Sequence, residues 1–206
     1  MRRPIPRATV ARLPLYLQAL ERIGRDEPTV SSERVGTLTN VTAAKVRKDL
    51  SYLGSQGVRG VGYHVEHLRG RIERELGLTH DYPVLIVGVG NLGSALANYK
   101  GFAERGFFIA GLYDADRQKI GKRVDGLRIR HIDQLEEDAA RLGVAIGIIA
   151  TPGVAAQEVA ERLERAGVRS ILNFAPATIR VAPPVVVRSV DLSTELQILS
   201  YYLSRE

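Results

Sequence analysis

The sequence contains no cysteine or tryptophan, one methionine and four histidines among its 206 residues. The absence of cysteine excludes disulfides, catalytic thiolates and the cysteine ligands of zinc fingers. The sequence also has no run of 18 apolar residues, and its basic N-terminus, MRRPIPRATV, is not followed by the apolar core of a signal peptide. We therefore expect a cytoplasmic protein, in which any response to redox state depends on a bound cofactor.

Positive charge is concentrated in the first 80 residues, which contain 14 Lys and Arg against 8 Asp and Glu, whereas residues 81–206 contain 15 of each. The whole formal net charge of +6 therefore belongs to the first part of the chain. Between Arg34 and Gly60, five basic residues accompany one acid, Asp49. A surface of one sign suits contact with phosphate, and an ordinary solvated face is the simpler alternative.

Capping residues and apolar spacing predict four helices in this first part. Their expected limits are 9–24 with Thr9 as N-cap and Gly24 as stop, Ser31 or Ser32 to Thr39–Asn40, Thr42 to Leu53 with Gly54 as stop, and His64 to Leu76. A Gly-rich segment, GSQGVRGVGYHV, precedes the last helix and resembles a hairpin. A tight turn between the second and third helices, followed by such a hairpin, predicts a winged helix-turn-helix.

The third predicted helix has two different faces. Val46, Leu50 and Leu53 lie on one side and are expected to face the core, with Asp49 also toward the protein, where it could orient an arginine. The opposite side and its flanks carry small and basic residues that suit phosphates or the guanine edge. Arg59 lies between glycines of the hairpin and suits a minor groove, unless it is simply an exposed loop residue. The candidate DNA-binding residues are Lys45, Arg47, Lys48, Ser51, Tyr52 and Arg59.

The pattern changes after a linker over residues 77–82. The apolar run PVLIVG is typical of a strand buried on both faces of a parallel sheet. Strands are predicted at 84–88, 107–113, 127–130, 144–150 and 169–173, and helices at 91–105, 133–142 and 153–166. This alternation predicts a doubly wound α/β domain of the Rossmann type.

The segment GVGNLG matches the GxGxxG spacing directly after a predicted strand and at the start of a helix. In that context the first glycine makes a sharp turn, the second lets the backbone approach a pyrophosphate, and the third allows close helix–strand packing. The candidate cofactor residues here are Gly88, Val89, Gly90, Asn91, Leu92 and Gly93. Asp114 ends the next strand. A carboxylate there accepts hydrogen bonds from the hydroxyl groups of the adenosine ribose and repels a 2′-phosphate. We therefore expect NAD+ and NADH as cofactors and not NADP(H). Arg117 nearby favours the phosphate instead.

Two further segments, ATPG (150–153) and NFAP (173–176), end predicted strands and are expected to border the nicotinamide half of the pocket. Their candidate residues are Thr151, Pro152, Asn173 and Phe174, although Pro and Gly also end strands for backbone reasons alone. The sequence offers no Tyr-x-x-x-Lys pair, no separate substrate domain and no metal site, so we expect the cofactor to be sensed and not consumed. The alternatives are a small NAD-dependent oxidoreductase with a basic N-terminal extension, and a repressor that senses another adenine nucleotide.

The C-terminal segment, DLSTELQILSYYLSRE, predicts an amphipathic helix with Leu192, Leu196, Leu199 and Leu203 on its apolar face. Such a helix packs either on a partner subunit or back on its own domain. The expected organisation is therefore a winged-helix domain over 1–80, a Rossmann domain over 81–188 and a terminal helix over 189–206.

Six segments resemble the Rex redox-sensing repressors of bacteria: RLPLYL (12–17), VRKDLSYLGSQGVRGVGY (46–63), VGVGNLGSALANYKGF (87–102), ATPGVAAQ (150–157), ILNFAP (171–176) and VDLSTELQIL (190–199). The resemblance implies a homodimer that binds an inverted-repeat operator while NAD+ prevails and releases it when NADH rises. It also implies that the C-terminal helix is swapped onto the partner's Rossmann domain. Asp191 of one subunit would pair with Arg12 in the DNA-bound state and with Tyr99, at the cofactor site, in the NADH-bound state. Leu50 and Leu53 stand where many members have Phe.

Overall fold

The computed structural model describes residues 4–24, 27–54 and 57–204. The chain divides into two compact units, Met1–His80 and Asp81–Glu206. In the described part of the chain, no helix is both long enough and apolar enough to cross a membrane.

The first unit is mainly helical. Its described elements are α1 Arg7–Ile23, β1 Thr29–Val30, α2 Ser32–Thr39, α3 Ala43–Tyr52, β2 Tyr63–His64 and α4 Val65–Glu75. The side chains of Ser31 and Thr42 accept hydrogen bonds from the third N–H of α2 and α3, as N-caps do. Gly24 ends α1 with a φ of 75°. These three end signals were predicted correctly because they act within one turn of the chain.

One expectation for this unit is wrong, and another holds only in part. Helix α1 begins at Arg7 after Pro6, and Thr9 is a buried residue inside the helix and not its N-cap. The described part of the Gly-rich segment does reverse direction, at an antiparallel bridge between Val58 and Gly62 closed by two hydrogen bonds, but its following strand β2 pairs antiparallel with β1 and not within the segment. Ser55 and Gln56 of this segment lie outside the described residues. We call residues 57–64 the wing.

The core of the first unit lies between α1, α3 and α4. As predicted, Val46, Leu50 and Leu53 are buried, and they join Leu13 and Tyr16 from α1 in one cluster of apolar side chains. Burying this face of α3 leaves its opposite face in solvent.

The second unit is an α/β structure. Its described elements are β3 Tyr82–Val87, α5 Asn91–Ala97, β4 Phe107–Asp114, β5 Arg123–Val124, β6 Leu127–His131, α6 Leu135–Leu142, β7 Ile146–Ile149, α7 Gly153–Arg165, β8 Ser170–Asn173, β9 Val186–Ser189 and α8 Leu192–Leu203, with 3-10 turns at Ala103–Arg105 and Ile132–Gln134. The sheet has the strand order β5-β6-β4-β3-β7-β8-β9, in which all neighbours are parallel except the β5–β6 pair.

The sheet is buried on both faces. Leu85 and Val87 of β3 contribute to one apolar cluster, whereas Val84 and Ile86 contribute to the cluster on the other face. The continuous apolar run in β3 therefore has the structure expected of it, and the predicted Rossmann-type parallel sheet is confirmed. The order of the strands reverses between β3 and β7, which opens a crevice at their carboxyl ends.

Two features differ from the sequence expectations. The helix predicted over 91–105 ends at Ala97, and the next residues form turns in which the ring of Tyr99 lies against Gly101. Strand β5 was not predicted, because two residues are too short for a periodic signal. Helix α8 forms as predicted, and its apolar side chains are exposed in the single chain, so its packing on a partner subunit stays a prediction.

Candidate functional site

A cleft of about 670 Å³ lies at the carboxyl ends of β3, β4, β7 and β8. Seven of the predicted cofactor residues line it: Gly88, Gly90, Leu92, Asp114, Thr151, Pro152 and Phe174. Its other lining residues include Asp116, Lys119 and Glu158, which the motifs did not indicate. The fold thus brings the ends of four separate strands to one place that has the size of a small-molecule site.

The glycines of GVGNLG have three different surroundings. Gly88 has a φ of +94°, and a side chain there would collide with the backbone of Ala150 and the methyl group of Thr151. A side chain at Gly93 would overlap the carbonyl oxygen of Gly88, so α5 can pack against the end of β3 only without one. Gly90 faces open space. The loop is therefore fixed by its two outer glycines, while the middle one leaves its backbone open to the cleft.

Asp114 ends β4 and holds the glycine loop. One carboxylate oxygen, Oδ2, accepts the N–H of Val89 at 2.8 Å and lies 3.0 Å from Nζ of Lys119, and Oδ1 accepts the N–H of Asp116 at 2.9 Å. Burial alone raises the pKa of this carboxyl, but the hydrogen bonds from Asp116, Lys119 and Val89 outweigh it and hold the pKa below its usual value. The cleft therefore has an ionised carboxylate at its β4 end.

Thr151 provides the clearest unmet hydrogen-bonding capacity in the cleft. Its hydroxyl oxygen is buried and has no partner among the described residues. A buried hydroxyl without a partner is unfavourable, so a polar group of a bound molecule would satisfy it. The glycine loop, the Asp114 carboxylate and this hydroxyl together fit a dinucleotide.

Several predicted cofactor residues lie beside the cleft and not on its lining. Val89 is buried and uses its N–H on Asp114. Asn173 is fully buried, and its amide group is hydrogen-bonded to the backbone of Ala175 and Ala177, so it orders the loop after β8. Tyr99 is 56% exposed and contacts Phe102 edge to face. Gly93 and Asn91 belong to the start of α5.

In the first unit, the solvent face of α3 carries the predicted DNA-binding residues. Lys45, Arg47, Lys48 and Ser51 are exposed, and Tyr52 is partly so. Arg47 donates to the hydroxyl of Ser32 at 2.8 Å and to the Glu33 carboxylate at 3.0 Å. Arg47 and the exposed Arg59 both line a groove of about 590 Å³ between the start of α2 and the wing. The fold therefore places basic residues of the helix and the wing along one surface.

Asp49 lies on the opposite side of α3 and is only 2% exposed. Its carboxylate accepts hydrogen bonds from Thr9, Arg12 and Tyr16 of α1, with Arg12 donating through both Nε and Nη2 at 2.6 and 2.8 Å. Burial by itself raises the pKa of this carboxyl, and the bonds from Arg12, Tyr16 and Thr9 outweigh burial and lower it. We call these four residues the Asp49 clamp. It joins α3 to α1 and fulfils the expectation that Asp49 orients an arginine.

Two of the residues assigned to a switch have local partners. Arg12 is bound to Asp49 within the first unit. Asp191 caps α8 by accepting hydrogen bonds from the N–H and hydroxyl of Ser193 and from the hydroxyl of Thr194. The third, Tyr99, is an exposed ring beside Phe102. The sequence signal for the clamp was the lone acid on a basic helix, but its partners on α1 were not foreseen.

Comparison with known proteins identifies both units. A family model described as "CoA binding domain" matches residues 79–177, and one described as "Putative DNA-binding protein N-terminus" matches residues 4–51. The redox-sensing transcriptional repressor Rex of Streptomyces avermitilis is 59% identical over 205 residues, which cover 99% of this chain and 81% of the relative. The chain belongs to the Rex family of redox-sensing transcriptional repressors.

Solved structures of the Rex family extend this similarity to the fold. The Rex-family repressor RSP, crystallised with β-NAD+ and operator DNA, has a TM-score of 0.92 at 35% identity over 98% of this chain and 94% of RSP. RSP with β-NADH has a TM-score of 0.88 at 34% identity over 98% and 96%. Rex membership confirms the resemblance found in the six segments, and it confirms the prediction of a transcriptional repressor in place of an enzyme.

Proposed function

We propose that this Rex-family chain binds operator DNA through α3 and the wing, and senses the ratio of NADH to NAD+ through the cleft at the end of the parallel sheet. The observation that carries the proposal is the cleft itself. It combines a glycine loop with an open middle position, an ionised carboxylate at the end of β4 and a buried hydroxyl without a partner. RSP, which binds β-NAD+ and β-NADH, has the same fold over nearly the whole chain.

Each part of the cleft would hold one part of the cofactor. The pyrophosphate would pass over Gly90, and the hydroxyl groups of the adenosine ribose would donate hydrogen bonds to the carboxylate of Asp114. Thr151, Pro152 and Phe174 would border the nicotinamide. The bound cofactor supplies a ring that is positively charged when oxidised and neutral when reduced. An apolar surrounding disfavours the charged ring, because it would have to leave water, and this gives the two forms different affinities for a closed cleft.

The DNA-binding surface would consist of Lys45, Arg47, Lys48, Ser51 and Tyr52 on α3 and of Arg59 on the wing. Exposed basic side chains on a helix that is anchored from behind by a buried core are suited to the major groove. Arg47 would exchange its contact with Glu33 for a phosphate or a base.

We further propose a homodimer that binds an inverted repeat, with functional segments at 1–80, 81–188 and 189–206. Helix α8 would lie on the partner's Rossmann domain, where its exposed leucines would be covered. Asp191 would pair with the partner's Arg12 or Tyr99, depending on the cofactor state. To lower operator affinity a hundredfold, NADH must favour the released state by about 2.7 kcal/mol, since each factor of ten corresponds to about 1.4 kcal/mol.

The proposal is tested by titrating the protein onto a fluorescent duplex that carries the operator bound by RSP, at fixed salt, and then adding NAD+ or NADH. We expect NADH to release the duplex and NAD+ to leave it bound. Lys48→Ala should weaken duplex binding about tenfold and leave NADH affinity unchanged, since it removes one phosphate or base contact. Lys122→Ala, an exposed lysine of the second unit, serves as the control for lost charge. Equal duplex affinity with the two cofactors would refute the sensing role.

The assembly is tested by replacing Leu196 and Leu199 with Asp. Both side chains are more than half exposed in α8, so the single chain should fold normally, whereas a partner could no longer cover this face. We expect a monomer in sedimentation velocity experiments and a loss of operator affinity of at least about a hundredfold, because only one half-site can be bound at a time. Gln197→Glu adds charge to the same helix and should remain a dimer. A dimeric double variant would show that α8 is not the interface.

A further inference from the structure

Lys119 is a charged residue of the cleft to which no role has been assigned. It lies in the turn after β4, five residues beyond Asp114, and lines the cleft with its side chain partly exposed. Its ammonium Nζ is 3.0 Å from Oδ2 of Asp114. The end of the cleft that would hold the adenosine ribose therefore contains a cation, and this cation is bound to the carboxylate that the ribose would use.

The carboxylate of Asp114 has several hydrogen-bond partners at this position. It holds the N–H of Val89 in the glycine loop and the N–H of Asp116 in the following turn, and it also holds Lys119. Hydroxyl groups of a ribose are donors, and an ionised carboxylate accepts from them. A phosphate on the 2′ oxygen is an anion, and it meets the same carboxylate as a repulsive charge.

Apart from Lys119, the other charged residues that line the cleft have the same sign as Asp114. Asp116 and Glu158 both line the cleft, and the carboxylate of Asp116 accepts the N–H of Gln118. Of the described residues that line the cleft, Lys119 alone carries a cationic side chain. Arg117, in the same turn, is exposed and does not line the cleft, so Lys119 is the cation that an anion in the cleft would meet, and Lys119 is engaged by Asp114.

We propose that Lys119 and Asp114 together decide which dinucleotide enters: Asp114 occupies an ammonium group that would otherwise form a binding site for the 2′-phosphate of NADP(H). This inference rests on the proposed function, because it places the adenosine ribose at the end of β4. It adds that the preference for NADH comes from a masked cation as well as from repulsion. Removing the carboxylate frees Lys119, and the site then accepts the phosphate.

The test uses Asp114→Ser in the full-length protein, with NADH and NADPH affinities measured by calorimetry. Serine keeps a small polar side chain at this position, and Asp114→Asn keeps the shape of the side chain and an oxygen that can accept the N–H of Val89 if the serine variant folds poorly. We expect the affinity for NADPH to rise at least about tenfold in either variant, while that for NADH falls, because the ammonium becomes available to a phosphate. Adding Lys119→Met to the same background should remove that gain.

The matched control is Asp116→Ser, which deletes one negative charge from the same turn and leaves Lys119 bound to Asp114. Its gain in NADPH affinity should stay below about threefold, as expected for an exposed charge in high dielectric. A tenfold gain that persists without Lys119, an equal gain in Asp116→Ser, or no gain in both Asp114 variants would each overturn the inference. Failure of the proposed function would look different: either the unaltered protein would bind neither dinucleotide, or it would bind both and hold the operator duplex equally well with each.

Discussion

Replacing Gly93 with alanine is expected to abolish measurable NADH binding and to lower the free energy of unfolding of the second unit by about 2 kcal/mol, the usual cost of overpacking a tight site. The added methyl group would overlap the carbonyl oxygen of Gly88, so the start of α5 must move away from β3. The backbone that would bind the pyrophosphate then moves with it. Calorimetry with NADH, together with thermal unfolding of the full chain, measures both effects.

Gly90→Ala distinguishes the effect of a methyl group on the stability of the fold from its effect on cofactor binding. A methyl group at Gly90 meets no atom within 4 Å, and the backbone there has a negative φ of −86°, so the fold should tolerate alanine. If the pyrophosphate passes over this position, NADH affinity should still fall about tenfold or more, since each 1.4 kcal/mol of lost contact is a factor of ten. The packing argument fails if Gly90→Ala destabilises the protein as much as Gly93→Ala does.

The second large effect is expected from the Asp49 clamp. Asp49→Ala should destabilise the first unit by about 3 kcal/mol, because it leaves a partly buried guanidinium and two hydroxyl groups without their acceptor. Since α3 would lose its attachment to α1, operator binding should fall as well, while NADH binding stays intact. Hydrogen exchange of peptides from α1 and α3 in increasing urea would measure the local loss.

Glu66→Ala is the matched control for removal of an acid from the first unit. Its partner is Arg69 on the same exposed face of α4, and such pairs contribute less than about 0.5 kcal/mol to the free energy of unfolding.

The Asp49 clamp also predicts a pH dependence of stability. Because folding lowers the pKa of Asp49, its contribution is complete above the unfolded-state pKa of about 4 and is lost as the pH falls through the lower folded-state value. If the amides of α3 were protected from hydrogen exchange equally at pH 7 and pH 3, the proposed stabilising role of the clamp would be wrong.

Local signals in the sequence were sufficient for most of the fold. The caps Ser31 and Thr42 act on N–H groups three residues away, and the run from Val84 to Val87 reports burial on both faces of a strand. The glycine spacing likewise depends on neighbours in the chain. These features were predictable because their causes lie within a few residues.

The features that the sequence did not indicate have two causes, a contact between distant residues and the shapes of two turns. Thr9 has a good N-cap side chain, but its hydroxyl is bound to Asp49, forty positions away. After α5, the turns place the ring of Tyr99 against Gly101, and the ion pair of Lys119 with Asp114 depends on how the turn after β4 folds back toward the cleft. The spacing of apolar residues and glycines encodes neither the shape of a turn nor a bond across forty positions. These features become visible only when the chain is folded.

Helix α8 has one more consequence, which concerns the amount of protein. Under the proposed assembly, its exposed leucines are covered only when two chains meet, so dimer formation is second order in chain concentration. While free subunits are in excess, halving their concentration lowers that of the dimer about fourfold, by mass action. The expression level of the protein would then change the fraction of operator that is bound, independently of the ratio of NADH to NAD+. Gene dosage would affect repression in the same way.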